Sequence, residues 1–544
     1  MNRQFKYFAF IFLSSLIFSL SSFSQQYWVS PTGSDSTGDG SQTNPWRHIN
    51  YAIQQIGVNN QVRQRILNVL PGVYAPSTIG EVFPIEMIGN LWLKGTDSSN
   101  TILDAENTEL AIRCWKTKNV KITDLKIRNG IFPGNPGNLD VIGGISCRDG
   151  AEVEIFNCVI TACEGGIFSA NNTQQYKDSA TFVSAHDNVI KNSQGNGIKV
   201  TGGDLLCENN VFDGNNSGLA TGSAISTIGG AYRVPHIEIR NNIIKNGISK
   251  GGAIFVGRRY VLIEGNLIFN NRTQGGFNNG GGGGIFAFPV WNDTCIIRDN
   301  IIVGNTSLIF GGGISILIHE PWPQMDFRVQ RNVIAYNIAL GKGGAIGVHN
   351  GNHVIVGGES GMGNDIFKNT GADSVNLFYH DGPFNEQTMN FQYNYLGSDP
   401  DKYSLYSEPD SLFDISNYSD SMLICGQTVN CDSILDSLGI TGITIPSQPE
   451  IAEGFKLYPN YPNPFNPSTM IQYELFQALK VRLRIFDLLG QKVTELLNKR
   501  QVPGDYTVEW NGTNSEGKQV GSGVYFYHFQ IGKNTRVGKM ILIR

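Results

Sequence analysis

Four loop segments at near-regular intervals carry side chains suited to holding a sugar. Arg258 and Arg259 come first, then Trp291, then His319, Glu320 and Trp322, then His349 and His353. Aromatic faces stack on the C–H faces of sugars, and Arg and His donate to hydroxyls and carboxylates. Phe255 and Phe286 stand just upstream of two of these loops. Trp291, Trp322, Phe255, Phe286 and His349 are therefore the candidate carbohydrate contacts, although loop tryptophans pack on neighbouring loops as readily as on sugars. Catalysis is less completely assembled. Hydrolysis needs two carboxylates facing each other across the bond, and this stripe offers Glu320, with Asp149 and Asp293 off register. A β-elimination needs a basic residue, such as Arg258, Arg259 or Lys199, and commonly calcium held by several acids. His319 and Glu320 form the other candidate acid–base pair. The residues leave enzyme activity open, with a lyase more natural than a hydrolase.

Something must bring these loops to one side. The segments "DNVIKN" (187–192), "NNVFDG" (209–214), "NNIIKN" (241–246), "GNLIFN" (265–270), "DNIIVGN" (299–305) and "RNVIAYN" (331–337) repeat one pattern, and "FNCVI" (156–160) begins it. Their lead residues are Asn157, Asn188, Asn210, Asn242, Asn266, Asn300 and Asn332. A second pattern, typified by "GGIF", places Ile145, Ile167, Ile198, Ile225, Ile254, Ile285, Ile314 and Ile346 at steps of 22, 31, 27, 29, 31, 29 and 32 residues. Each unit holds three short β-branched runs separated by turns, and none is long enough for a helix. A repeat of this length is a solenoid, each strand pairing with its counterpart about 4.8 Å away on the next coil. The fold class is all-β. Stacked Ile makes an apolar column, stacked Asn satisfies a tight corner, and Gly pairs turn the other corner. The residue after each anchor Ile points outward, so residues 146, 168, 199, 226, 255, 286, 315 and 347 form an outer stripe. The loops beyond it span roughly 15 Å over four coils.

This pattern resembles the right-handed parallel β-helix, the pectate-lyase-like architecture, over residues 27–400. That resemblance implies a polysaccharide cleft on the loop-bearing stripe, but the fold also serves adhesins without catalysis. Residues 27–107 open the coil. "NPWRHINYAIQQI" sets Ile49, Ala52, Ile53 and Ile56 at helical spacing and predicts a short capping helix. With "GSDSTGDG", "PGVY", "GEVFPI" and "LKG", this stretch is similar to an N-terminal domain of uncharacterised function that opens many secreted β-helices. Asp35 and Asp39 in "GSDSTGDG" could offer oxygens to Ca2+, or simply build a turn; no cofactor is required by the reading.

The two ends carry addresses. Arg3 and Lys6 precede the apolar run Tyr7–Leu20, which reads as a signal peptide over residues 1–24. No later run is long and apolar enough to span a membrane. The net charge of −5 without a basic block argues against nucleic acid as a partner. Of eight cysteines, Cys425 and Cys431 flank a short polar loop and are the disulfide candidates in an exported chain, while the rest read as buried thiols. Residues 401–453 lose the repeat and read as a degenerate end and linker. Residues 454–544 predict a small antiparallel sandwich. "YPNPFNPST" (461–469), "IFDLLGQKV" (485–493), "GSGVYFY" (521–527) and the closing "KMILIR" closely resemble the C-terminal sorting domain of type IX secretion cargo. The resemblance implies export to the cell surface through that machinery, with the domain usually removed. The combined expectation is a secreted or surface protein that binds, and in one version processes, an extracellular or surface polysaccharide. The alternative is a non-catalytic adhesive coil.

Overall fold

The computed structural model describes residues 24–58, 64–132, 143–171, 180–218, 222–228, 235–257, 260–274, 281–288, 294–318 and 326–349, then shorter pieces to 414 and most of 455–542. The chain divides into two compact units, residues 1–434 and 435–544. Three long parallel sheets of 14, 12 and 11 strands build the first unit, with a fourth parallel sheet of four two-residue strands beside them. Each coil runs through them in turn, as in Ile145–Arg148, Glu152–Phe156 and Val159–Thr161. We call the 12-stranded sheet, which carries the anchor isoleucines, the anchor sheet, and the 14-stranded one the long sheet.

The isoleucine column forms as expected. Ile145, Ile167, Ile198, Ile225, Ile254, Ile285, Ile314 and Ile346 pair in register from strand to strand, all fully buried. The column also extends upstream through Ile112 and Ile85. Inward apolar residues alternate with half-buried ones along the long sheet, as Leu205 and Cys207 do in the strand Asp204–Glu208, so one face of the strand feeds the core.

The asparagine stack is a continuous ladder. Asn188, Asn210, Asn242, Asn266, Asn300, Asn332, Asn364 and Asn394 each accept, at Oδ1, the backbone N–H of the residue one coil earlier. One expectation shifts by a residue. Asn157 is not on the ladder; Cys158 occupies that position, and its N–H donates to Asn188 at 3.0 Å. Asn157 instead joins Asp187, Asn209, Asn241, Asp299 and Arg331 in the left-handed region, with φ from 51 to 57°. Asn and Asp tolerate that conformation better than other side chains. A second ladder runs five residues later, through Asn271, Asn305, Asn337 and Asn369. Both corners beside the short strand are therefore closed by side-chain amides.

Before the first full coils, the helix Ile49–Val58 caps the core with Ile49, Ala52, Ile53 and Ile56 buried. Cys114, Cys147, Cys158, Cys163, Cys207 and Cys295 are buried free thiols, and burial pushes Cys158 up to about 12. Cys425 and Cys431 lie outside the described residues.

The second unit has a three-stranded antiparallel sheet (Phe455–Leu457, Thr469–Leu475, Gly504–Trp510) and a four-stranded one. The latter orders Lys492–Gln501, Leu479–Asp487, Gly523–Ile531 and Asn534–Leu542. Ile471, Tyr473, Val481, Leu483, Ile485, Trp510 and Phe529 form their shared core. Phe465, from the proline-rich entry, packs 5.5 Å from Trp510. The strand Lys492–Gln501 is not separately legible in the sequence, because half of its side chains are exposed and its alternation is broken.

Candidate functional site

The outer stripe of the anchor sheet points outward as predicted but is mostly covered. Ser146, Phe168, Lys199, Ser226, Phe255, Phe286 and Ser315 are all buried. Phe255 and Phe286 meet edge to face at 5.4 Å, with 6% and 0% of their surface exposed. Both rings are therefore buried in this arrangement. Backbone is part of the cover. A Cβ on Gly282 would lie 1.9 Å from the Ile285 carbonyl oxygen, and one on Gly311 2.1 Å from that of Ile314, so glycine lets the chain fold back onto its own strand. His349 ends the strand Ile346–His349, in register with Leu317. Arg258, Arg259, Trp291, His319, Glu320, Trp322 and His353 lie outside the described residues.

At its N-terminal end the same wall opens. The strands Ile85–Glu86, Ile112–Trp115 and Ile145–Arg148 align Glu86 with Arg113 and Ser146, and Trp115 with Arg148. Trp115 is 38% exposed. The guanidinium carbons of Arg113 and Arg148 lie 4.6 and 5.5 Å from its ring centroid, and Arg148 lies 5.2 Å from that of Phe168. Arg113 is also held by an ion pair with Glu86. Cations at this distance from an indole face are attracted by its quadrupole, which fixes ring and guanidinia together. The result is a partly exposed aromatic ring with two guanidinium groups set over it. In the sequence the repeat's anchor series is plain only from Ile145 onward. The signal for this coil was "AIRCW" (111–115), which follows the same template with Ala in place of Gly.

Glu86 continues into a groove of about 670 Å³ between the capping helix and residues 80–88, lined also by Tyr51, Gln54, Val82, Phe83 and Ile88. Its floor is a charge cluster. The buried Glu81 carboxylate accepts the first helical N–H, from Ile49, at 2.7 Å. Asp35 accepts the backbone N–H groups of Arg47 and His48 and lies 2.5 Å from His48 Nδ1. His48 Nε2 lies 2.7 Å from the Ile79 carbonyl oxygen. Asp39 accepts the Ser41 N–H at 2.9 Å within a turn. Asp35 thus serves the cap and Asp39 a turn, and among the described residues no group of three His, Cys, Asp or Glu could hold a metal.

These contacts make the cap pH-dependent. Burial alone would lower the His48 pKa, but the Asp35 hydrogen bond, the Ile79 carbonyl and the charges of Asp35 and Glu81 together raise it. A His raised above its ordinary value of 6.5 stabilises the fold fully below that pH, and the contribution disappears as pH climbs through the raised value. Burial also raises Glu81, against its helix N–H bonds, so its ionisation above the ordinary 4.5 acts in the same direction. Hydrogen exchange in residues 49–58 is expected to be better protected at pH 6 than at pH 8. His48→Gln should flatten that difference; parallel profiles for both proteins would contradict the assignment.

Residues 176–360 match the family described as right handed beta helix region, and residues 460–544 match the secretion system C-terminal sorting domain. The chain is a right-handed β-helix protein carrying a type IX secretion sorting domain. Such a domain marks the β-helix protein as secreted or displayed at the cell surface. No curated protein matches the chain. Among solved structures it is similar to dimeric latent PorU from Porphyromonas gingivalis, at 21% identity and a TM-score of 0.15 over 17% of this chain. The chain spans only 10% of PorU's length. It is also similar to the mannuronan C-5 epimerase AlgE4 A-module of Azotobacter vinelandii (13% identity, TM-score 0.36, 69% of this chain and 94% of that one). A third is the GH136 lacto-N-biosidase of Eubacterium ramulus (10% identity, TM-score 0.35, 68% and 67%). The described part of the β-helix protein contains no helix long and apolar enough to cross a membrane.

Proposed function

We propose that this exported β-helix protein binds an extracellular or cell-surface polysaccharide on the N-terminal coils of its anchor sheet. The observation that carries the reading is Trp115, exposed and flanked by Arg113 and Arg148 within 5.5 Å of its ring. Three adjacent strands span about 10 Å, the length of roughly two sugar rings. The indole supplies the apolar platform, the two guanidinia donate to hydroxyls or carboxylates, and the groove beyond Glu86 gives the chain a path off the coil. No cofactor is needed for this.

The test is binding of the exported protein to a panel of acidic and neutral polysaccharides, with ultraviolet-absorbing unsaturated product and new reducing ends followed in the same tubes. Retained binding with neither product is a lectin-like coil. Unsaturated product assigns a lyase, with the base to be sought among Arg258, Arg259, His319 and Glu320. Failure to bind any member of the panel by a folded protein would overturn the reading in favour of a non-catalytic adhesive coil with a protein partner.

A further inference from the structure

The sorting domain carries a charge pattern of its own. Residues 460–544 contain eleven Lys and Arg against six Asp and Glu, a net +5, within a chain whose total is −5. The four-stranded sheet arranges part of that excess on one face. Along Leu479–Asp487, Val481, Leu483 and Ile485 are buried, so Lys480, Arg482, Arg484 and Phe486 alternate to the other side. In the neighbouring strand Arg500 stands opposite Lys480, and Lys492 opposite Phe486. On the other flank His528 stands opposite Arg484, and Phe526 opposite Phe486. Glu495 is the acid among these positions, and Arg482 Nε holds it at 2.6 Å. Arg484 donates to His528 at 3.2 Å and to Gln530 at 3.3 Å, and its Nε is buried without a partner. Burial and the charges of Arg484 and Arg482 lower the His528 pKa, as a positive field would.

Like charges gathered on one sheet face repel one another and find relief only against opposite charge. Here they surround two phenylalanines that face each other across strands, and Arg484 lies 5.6 Å from the Phe486 ring. An apolar centre with an arginine-rich rim is the anatomy of a protein interface. We propose that this face, bearing Lys480, Arg482, Arg484, Lys492 and Arg500 around Phe486, is where the sorting domain docks on an acidic protein surface of the type IX machinery. The proposal rests on the sorting-domain assignment and stands apart from the polysaccharide reading.

Its test is export of the full-length chain from a type IX-secreting bacterium. The triple variant Lys480→Glu, Lys492→Glu, Arg500→Glu changes three exposed side chains and leaves the core in place. It is expected to accumulate uncleaved in the periplasm, with surface or medium protein reduced at least ten-fold. Lys518→Glu, in an exposed turn beside Glu516, should be exported normally. Circular dichroism of the purified precursor checks folding; should the glutamates unfold the domain, the corresponding glutamine triple is scored in the same way. Wild-type export of a folded triple variant overturns the proposal. So does capture of the wild-type precursor by phosphatidylglycerol vesicles, lost in the triple variant while export persists, since that would assign the face to a lipid.

Discussion

Asn300→Ala is expected to destabilise the coil by about 3–5 kcal/mol, near the upper end for a single substitution. Asn300 is 1% exposed, and its amide serves two neighbouring coils. Its Oδ1 accepts the N–H of Asn266 at 2.9 Å and the Asn266 side-chain amide at 2.9 Å. Its Nδ2 donates to the carbonyls of Ile263 and Arg298 and to Asn332 Oδ1. Alanine satisfies none of these, and each buried polar group left without a partner costs about 1–3 kcal/mol. Because each coil pairs only with its neighbours, the loss falls on the two interfaces that Asn300 bridges, toward Asn266 and toward Asn332. Asn270→Ala removes a solvent-exposed amide that bonds Asn246 at 2.6 Å and should cost about 1 kcal/mol, chiefly for the left-handed backbone at φ 54°. Urea unfolding of the two variants checks the ratio. Equal losses would mean that the ladder contributes no more than a surface turn.

Trp115→Ala is expected to weaken polysaccharide binding by about thirty-fold, or about 2 kcal/mol, the scale of a binding hot spot. Two effects combine. The stacking platform disappears, and Arg113 and Arg148 lose the ring that holds them. Trp115→Phe keeps a smaller face and should recover part of the affinity. Arg148→Ala separates the effects: it leaves the ring and removes one donor, so it should weaken acidic polysaccharides more than neutral ones. The melting temperature should barely change, since Trp115 is not in the core and its stem strand is pinned by Ile112 and Cys114.

The solenoid was legible because its forces are periodic. An Ile that must meet an Ile on the next coil recurs at the coil length, and the ladder Asn recurs with it. Asn157 falls out of register because Asn suits both the left-handed corner and the ladder beside it, and only hydrogen bonds distinguish the two. The second ladder was present in the sequence as Asn five residues on, hidden where Ser193 and Gly247 take its place. The site was less legible. That Phe255 and Phe286 point away from the core follows from alternation, but whether anything covers them depends on segments that obey no period. Trp115 is less legible because "LAIRCW" (110–115) lacks the Gly that stands just before most of the other anchor isoleucines.

The most direct measurement is a calorimetric titration of the exported protein with an acidic polysaccharide, alongside Trp115→Ala of matched thermal stability. Saturable binding by the native protein and an isotherm at least ten-fold weaker for the variant are the expected result. Identical isotherms would contradict it, and would move the binding surface off the N-terminal coils of the anchor sheet.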